Sequence, residues 1–486
     1  MKGRIIQMKR PIALILLVSI LSAASCGTTE NEPITETSAD TTTTETTAAL
    51  IYDLPERDFE GYTFRMFIRN LDQYIDEMYI EETTGDIMDD AIYERNTKIA
   101  ERFNINYEIN LAADVMGTDA TNTIMAGDDA YDILVCHARQ TFDYAHKGLL
   151  LEWNTELPYI DLDKPWWNQD ARENLSICHK LYTCAGDICY LNLGAANAMF
   201  YNKQLVNELG IGNIYETVLN GDWTFDKFSE YVMMGSRDLN GDTQIDIEND
   251  RFGYVTGHWI GPMQVLYTGG QRILTKNDDD ELVLSLNTER TIDIYDTFFT
   301  LLDSDPCYIQ LDENMEPIYN SFSENRALFV DMNIKDVEKL RDMNADFGII
   351  PWPKFDESED KYYTNVDADC SLIGVPITSS DPERTSIIIE ALAAEGYQSV
   401  IPQYYEVALQ TKYARDDESV QMIDLIRAGQ VFDVGYYYSH NEFISEFNSI
   451  GRNLAHEEGH NFSSYYAANE AKALAKIAEL NELYSE

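Results

Sequence analysis

A run of oxygen-bearing side chains begins at residue 238 and reads Asp-Leu-Asn-Gly-Asp-Thr-Gln-Ile-Asp. Oxygen ligands at the first, third, fifth and ninth positions match a calcium loop, whose seventh position coordinates through its backbone carbonyl. Thr243 replaces the glycine expected at the sixth position, and Asn249 replaces the glutamate expected at the twelfth. The spacing predicts either a structural calcium ion or a metal-free turn. The calcium ligands would be Asp238, Asn240, Asp242, Gln244 and Asp246.

Polar side chains directly follow two segments that have the pattern of β-strands. Segment 61–68 alternates apolar and polar side chains, and segment 131–135 is a short apolar run of the kind buried on both faces of a sheet. Open α/β sheets bind ligands outside the carboxyl ends of their strands. The side chains at these two ends are therefore candidates for ligand contact or for structural hydrogen bonds: Arg69, Asn70, His137, Arg139 and Gln140.

No arrangement of residues typical of an enzyme stands out. The sequence contains no G-x-S-x-G nucleophile elbow, no H-E-x-x-H metal pair and no G-x-x-x-x-G-K phosphate loop. Paired carboxylates could serve a glycosidase, but among 85 acidic residues any spacing arises by chance. The sequence therefore predicts a protein without catalytic residues and without a cofactor other than the structural calcium.

The elements that would position the candidate side chains alternate along the chain. Helical spacing over 89–103 is followed by a second alternating segment at 105–109. Asp381 and the proline after it precede an apolar run that ends at Gly396, and Thr224 precedes a further helical segment. Strands and helices joined by short connections predict an α/β protein with a parallel sheet covered by helices.

Several segments of the chain follow one another in the order found in a known family. They are Asp-Ile-Leu-Val at 132–135, Gly-Leu-Leu-Leu-Glu at 148–152, Lys-Leu-Tyr at 180–182, Tyr-Asn-Lys at 201–203, Asn-Arg-Ala-Leu-Phe at 325–329 and Phe-Gly-Ile-Ile-Pro-Trp-Pro at 347–353. In this order they resemble the family 1 extracellular solute-binding proteins of ABC importers, the group of maltose-binding protein.

The resemblance implies two α/β lobes in a periplasmic-binding-protein-like fold of class II type, with ligand held in the cleft between them. Ligand would favour closure of the hinge because only the closed cleft contacts it from both sides. The implied crossovers lie near residues 155–160, 366–372 and 400–408. Lobe 1 is predicted at residues 51–158 and 370–402, and lobe 2 at residues 159–369 and 403–486.

Aromatic side chains make up 12% of the chain. Sugars bind by stacking their C–H faces on such rings while polar side chains hold the hydroxyl groups. The resemblance places Trp259, Tyr436 and Tyr437 in the cleft. It places Trp166 and Trp167 at the start of a surface helix, where a structural role is favoured over ligand contact.

The amino-terminal segment has the order of a secretory signal. Basic residues precede an apolar run at 12–21, which is too short to span a bilayer, and small residues then lead to Cys26. We expect a signal peptide over 1–25, a lipid on the Cys26 thiol and a disordered Thr/Glu-rich tether over 26–50. Ala23 stands where leucine is usual, so cleavage without lipidation is the alternative.

Acidic residues outnumber basic ones by 85 to 35, which gives a formal net charge of −50. Charge of this sign repels nucleic acid and anionic membrane surfaces. We therefore expect no nucleic-acid partner, and contact with a membrane through the lipid alone.

Six cysteines follow Cys26 in the sequence. Their spacing matches no common zinc or iron–sulfur pattern, so they are interpreted either as disulfides or as free thiols. They are Cys136, Cys178, Cys184, Cys189, Cys307 and Cys370.

These observations favour a binding protein over an enzyme. The leading hypothesis is a monomeric lipoprotein on the outer face of the cell membrane that captures an oligosaccharide and delivers it to ABC permease subunits. The alternatives are a surface glycan-binding or adhesion protein without transport and, less favoured, a secreted glycoside hydrolase.

Overall fold

The computed structural model of the protein describes residues 52–410 and 417–485. The predicted signal peptide, Cys26 and the tether up to residue 50 lie outside the described residues. Within these, the strands are β1 (Tyr62–Ile68), β2 (Ile105–Leu111), β3 (Ile133–His137), β4 (Asn197–Asn202), β5 (Phe252–Gly257), β6 (Leu274–Lys276), β7 (Leu282–Leu284), β8 (Cys307–Gln310), β9 (Ala327–Asn333), β10 (Phe347–Ile350), β11 (Thr364–Asn365), β12 (Ser371–Gly374) and β13 (Gln430–Val431).

Helices surround these strands. The α-helices are α1 (Asp72–Met78), α2 (Ile87–Phe103), α3 (Ala120–Met125), α4 (Ala138–His146), α5 (Trp153–Glu156), α6 (Gln169–Asn174), α7 (Leu191–Gly194), α8 (Lys203–Leu209), α9 (Ile214–Leu219), α10 (Phe225–Gly235), α11 (Gly261–Thr268), α12 (Glu289–Leu302), α13 (Glu316–Ser323), α14 (Pro382–Glu395), α15 (Ile401–Gln410), α16 (Asp417–Ala428), α17 (Val434–Tyr437), α18 (Ile450–His456) and α19 (Phe462–Ser485). Ile334–Leu340 and His440–Glu442 are 3₁₀-helical, and Gly396–Val400 is π-helical.

The first sheet has the strand order β12–β3–β1–β2. Strand β1 pairs in parallel with both β2 and β3, and β12 adds to the edge in the antiparallel sense. Phe64, Met66 and Ile68 are buried, as their alternation predicts, and Phe67 on the opposite face is buried too. Because β1 and β3 are parallel, the residues that follow them lie at the same edge of the sheet.

The second sheet has the strand order β10–β4–β9–β5–β8. Strand β5 lies in parallel between β8 and β9, while β4 runs antiparallel to β9 and β10 antiparallel to β4. All residues of β5 and β9 are buried, because helices cover both faces. Two separate sheets with covering helices form the two-lobed α/β architecture that was expected.

Side-chain caps begin the helices that the sequence predicted. Asp86 accepts the backbone N–H of Met88 at the start of α2, and Thr224 accepts the backbone N–H of Lys227 at the start of α10. Asp381 accepts the backbone N–H of Arg384, and a proline occupies the first turn of α14. The starts at Thr224 and Asp381 are confirmed because capping depends on local hydrogen bonds alone, whereas the Asp86 cap was not predicted.

The helix α14 ends at Glu395 with Gly396 as its C-cap, as predicted, but the chain does not leave the helical conformation there. Gly396 has helical φ and ψ angles of −56° and −49°, and the chain continues through the π-helical turn into α15. A Cβ atom at this position would lie 2.1 Å from the backbone oxygen of Asp187. The glycine is therefore explained by the close approach of a second segment and not by a left-handed helix cap.

The segment between the predicted crossover at 155–160 and β4 contacts several elements. Cys184 pairs with Ile373 of the first sheet, and Trp166 and Trp167 donate their indole N–H groups to Glu390 of α14. The backbone N–H of Cys178 donates to Asp280, which lies between β6 and β7. The crossovers and the lobe boundaries stay predictions.

The cysteines within the described ranges are free thiols, and all but Cys178 are buried. This result agrees with the free-thiol alternative. Across residues 52–410 and 417–485, no helix combines the length and the apolar character that crossing a membrane requires.

Candidate ligand-binding cleft

The candidate cleft lies where the carboxyl ends of β3 and β5, one strand from each sheet, come close together. Arg139 follows β3 of the first sheet, and Trp259 follows β5 of the second. The guanidinium carbon of Arg139 lies 6.0 Å from the centre of the Trp259 ring and 5.3 Å from the centre of the Tyr436 ring. The structure thus brings together three of the predicted ligand residues from three distant segments.

Trp259 is held in the turn between β5 and α11. The backbone N–H of Gly261 donates to the hydroxyl of Thr256, which in turn donates to the buried carboxyl of Asp331. A side chain on Gly261 would collide with Thr256 and Asp331, so the turn requires glycine. Burial raises the pKa of Asp331 to about 7, which favours its protonated form.

The Trp259 ring itself is partly exposed and touches charged groups. The Arg452 guanidinium of α18 lies 4.5 Å from the ring centre. The indole N–H donates to Glu313 over 3.3 Å, and the Glu313 carboxylate is largely exposed. The ring therefore forms a wall of the cleft. The Arg452 guanidinium lies over this wall, and the indole N–H is a hydrogen-bond donor at its edge.

A charged network that sequence reasoning missed joins the carboxyl end of β1 in the first sheet to the segment that follows β9 in the second. Arg69, which follows β1, is fully buried, lies 3.2 Å from the centre of the Tyr74 ring and donates to Asp369 at 2.9 Å. Asp369 also accepts from the Tyr74 hydroxyl at 2.7 Å and from Lys335 at 2.6 Å. Burial alone would raise the pKa of Asp369, but the charges of Lys335 and Arg69 outweigh burial and lower it to about 2.

Other predicted ligand residues occupy structural positions. His137 is the N-cap of α4, where its ring nitrogen accepts the backbone N–H of Arg139, and burial together with the nearby Arg69 charge lowers its pKa to about 3. Gln140 is buried and donates to Asp143 of its own helix. The Asn70 backbone N–H donates to Asp114, and its side chain is exposed.

The two predicted tyrosines differ in their surroundings. Tyr436 is buried beneath Arg139, and its hydroxyl donates to Asp367 at 3.0 Å. Tyr437 is fully buried, donates to the backbone oxygen of Val366 and packs on Phe142. Tyr437 therefore belongs to the core in this structure. Consecutive side chains of a short helix point in different directions, and the sequence does not indicate which one faces the cleft.

Trp166 and Trp167 lie in the core, as the structural interpretation expected. Both rings are almost completely buried, and their two indole N–H groups share the carboxyl of Glu390. Burial raises the pKa of Glu390 to about 7.

Two of the predicted calcium ligands lie close together in the loop 238–250. Asp238 and Asp242 offer carboxylate oxygens that lie within 4.8 Å of each other and of a carboxylate oxygen of Asp250. Asp246 accepts the backbone N–H groups of the two residues before Asp250. Thr243 has a φ of 70°, the left-handed conformation for which calcium loops use glycine. Calcium binding by the predicted residues stays a prediction.

Comparison with known proteins places the chain by its fold. No family model matches the sequence, and no curated protein sequence matches it. UspC of M. tuberculosis is similar in structure at 13% identity and a TM-score of 0.55, over 85% of this chain and 100% of its own. A cyclo/maltodextrin-binding protein in complex with maltotetraose matches at 13% identity and a TM-score of 0.52, over 87% and 97% of the two chains.

The GacH receptor of Streptomyces glaucescens, which was solved without ligand and with acarbose, matches at 13% identity and a TM-score of 0.51. The match covers 88% of this chain and 99% of the receptor. At this level of identity the likeness concerns the fold. It confirms the two-lobed α/β fold that the sequence resemblance implied.

Proposed function

We propose that this chain is a solute-binding protein that holds an oligosaccharide in the cleft between its two lobes. The observation that carries the proposal is the partly exposed Trp259 ring, which faces Arg139 where the carboxyl ends of β3 and β5 come close together. A ring beside polar donors suits the C–H faces and hydroxyl groups of sugars. The maltotetraose and acarbose complexes of proteins with this fold support the same ligand class.

The proposed role is capture without catalysis. A glycosidase needs a carboxylic acid whose pKa is raised so that it can protonate a leaving group. Asp369, a carboxylate held by two cations, has its pKa lowered to about 2 and stays ionised. That carboxylate suits an ion-pair network between the lobes and not proton donation.

We further propose that the protein works outside the cytoplasm, anchored through a lipid on Cys26, as a monomer that delivers its ligand to ABC permease subunits. The support is the order of signal, cysteine and tether in the sequence. Deletion of the gene should abolish uptake of the bound sugar. Normal uptake by the deletion strain, together with loss of cell binding to the glycan, would favour an adhesion protein instead.

Binding of sugars is tested with the purified full-length protein. Its melting temperature is measured with neutral and acidic oligosaccharides, with peptides and with polyamines, and each hit is followed by calorimetry. We expect an oligosaccharide to raise the melting temperature, because a ligand that binds only the folded state stabilises it. A rise with a peptide or polyamine and with none of the sugars would show that the proposed ligand class is wrong.

A further inference from the structure

Positive charge collects in the cleft of a strongly acidic chain. The sequence has 85 acidic and only 35 basic residues, yet Arg139 and Arg452 both lie against the Trp259 ring. The buried Arg69 and Lys335 share the carboxylate of Asp369. Two cations thus share one carboxylate in that network, and it is Arg139 and Arg452 that lie beside the ring.

Arg139 and Arg452 have no carboxylate partner within the described parts of the chain. Both are partly buried, and the Nε atom of each is fully buried without a hydrogen-bond acceptor. Arg290, by contrast, forms ion pairs with both Asp356 and Glu359. A buried donor without an acceptor costs free energy, so two such guanidinium groups beside one ring require an explanation.

The carboxylates nearest to this pair are engaged with other groups. Glu313 accepts from the Trp259 indole and lies 3.6 Å from His258. Asp367 accepts from the Tyr436 hydroxyl, and burial raises the pKa of Asp367, which disfavours its charged form. The protein itself thus leaves the guanidinium groups of Arg139 and Arg452 without a counter-ion.

We propose that the ligand is an acidic oligosaccharide, whose sugar carboxylate binds Arg139 and Arg452 beside the Trp259 ring. The inference rests on the proposed function, because it specifies the class of sugar that the cleft holds. Guanidinium groups present planar pairs of donors that match the two oxygens of a carboxylate. Partial burial strengthens such a pair because little water screens it.

The test compares sugars that differ only in charge. Calorimetry with the full-length protein uses oligomers of galacturonate, glucuronate and mannuronate, each beside its methyl ester, with sulfated and neutral oligosaccharides added. We expect one uronate to bind at least about tenfold more tightly than its ester, because one hydrogen bond to a charged group contributes a free energy that corresponds to such a change in affinity. The affinity for the uronate should fall as salt is raised.

Variants identify the groups that recognise the charge. Arg139→Gln and Arg452→Gln should each weaken binding of the uronate by about 10- to 100-fold and change binding of the ester much less. Arg57→Gln is the matched control, since Arg57 precedes β1 at the opposite edge of the first sheet and forms an exposed ion pair with Glu383. The control should bind the uronate normally. Melting temperatures establish that each variant is folded.

The outcomes separate this inference from the proposed function. Equal affinity for a uronate and its ester, or binding of neutral sugars alone, would overturn the acidic ligand and leave an oligosaccharide-binding protein. Tighter binding of sulfated sugars, or unchanged uronate affinity in both arginine variants, would overturn the carboxylate contact. No binding of any sugar would overturn the proposed function and this inference together.

Discussion

Replacing Trp259 with alanine tests the cleft most directly. The ring is partly exposed, lies 4.5 Å from Arg452 and 6.0 Å from Arg139, and is held by a turn that a buried hydrogen-bond network fixes. Its loss removes a preformed contact surface and frees both guanidinium groups. Alanine substitution of aromatic stacking platforms costs about 1–3 kcal/mol, so the affinity should fall by about 5- to 150-fold.

The assay is calorimetric titration of Trp259→Ala with the sugar that binds the unsubstituted protein most tightly. Trp259→Phe is the control, because phenylalanine keeps an aromatic face and loses the N–H group that donates to Glu313. That bond reaches an exposed carboxylate, so the control should lose less than about fivefold. The melting temperature should change little in either variant, since Trp259 is not part of the closed core.

Unchanged sugar affinity in the alanine variant would remove Trp259 from the site. Equal losses in both variants would also contradict the reasoning, because they would assign the effect to the indole N–H and not to the ring face.

Three further expectations concern stability, metal binding and location. Because burial raises the pKa of Asp331 from 3.8 to about 7, its protonated form contributes stability that is complete below pH 3.8 and lost as the pH rises through about 7. In Asp331→Asn the free energy of unfolding should therefore fall less steeply across this range, by up to about 1.4 kcal/mol per pH unit. The measurement is the melting temperature against pH for both proteins. An equal dependence on pH in the two proteins would refute this expectation. Calcium at 100 times its dissociation constant should raise the free energy of unfolding by about 2.7 kcal/mol. Asp242→Asn should remove most of this gain. If calcium does not stabilise the unsubstituted protein, the protein has no calcium site. Cys26→Ser should shift the protein from the membrane fraction to the medium, and continued membrane association would argue against the lipid anchor.

Local patterns predicted the parts of the fold that depend on near neighbours in the chain. Alternation over 61–68 predicted a strand, because successive side chains of a strand point to opposite faces. Arg69 follows the last residue of this segment and was therefore expected at the carboxyl end of the strand. Asp381 and Thr224 predicted helix starts because a cap bonds to its own helix. Gly396 does follow the end of α14, but the reason for a glycine there is a contact with the backbone of a distant segment, which a local pattern does not show.

The sequence indicated only some of the residues that meet at the candidate cleft. Strand ends and the family resemblance indicated Arg139, Trp259 and Tyr436, and the structure brings these together. They also indicated His137 and Tyr437, which the structure uses for a helix cap and for the core. A residue type indicates what a side chain is able to bind, whereas its direction depends on the packing around it.

The sequence by itself determined the α/β class, the helix starts and the strand ends, because hydrogen bonds and hydrophobic periodicity act over a few residues. Only the tertiary structure decided which side chains meet at those strand ends. In the folded chain Arg452 lies against Trp259, and Lys335 and Arg69 both bind Asp369. These residues are far apart in the chain, and no short-range pattern relates them. The charge of the cleft, and with it the proposed acidic ligand, arises from that long-range packing.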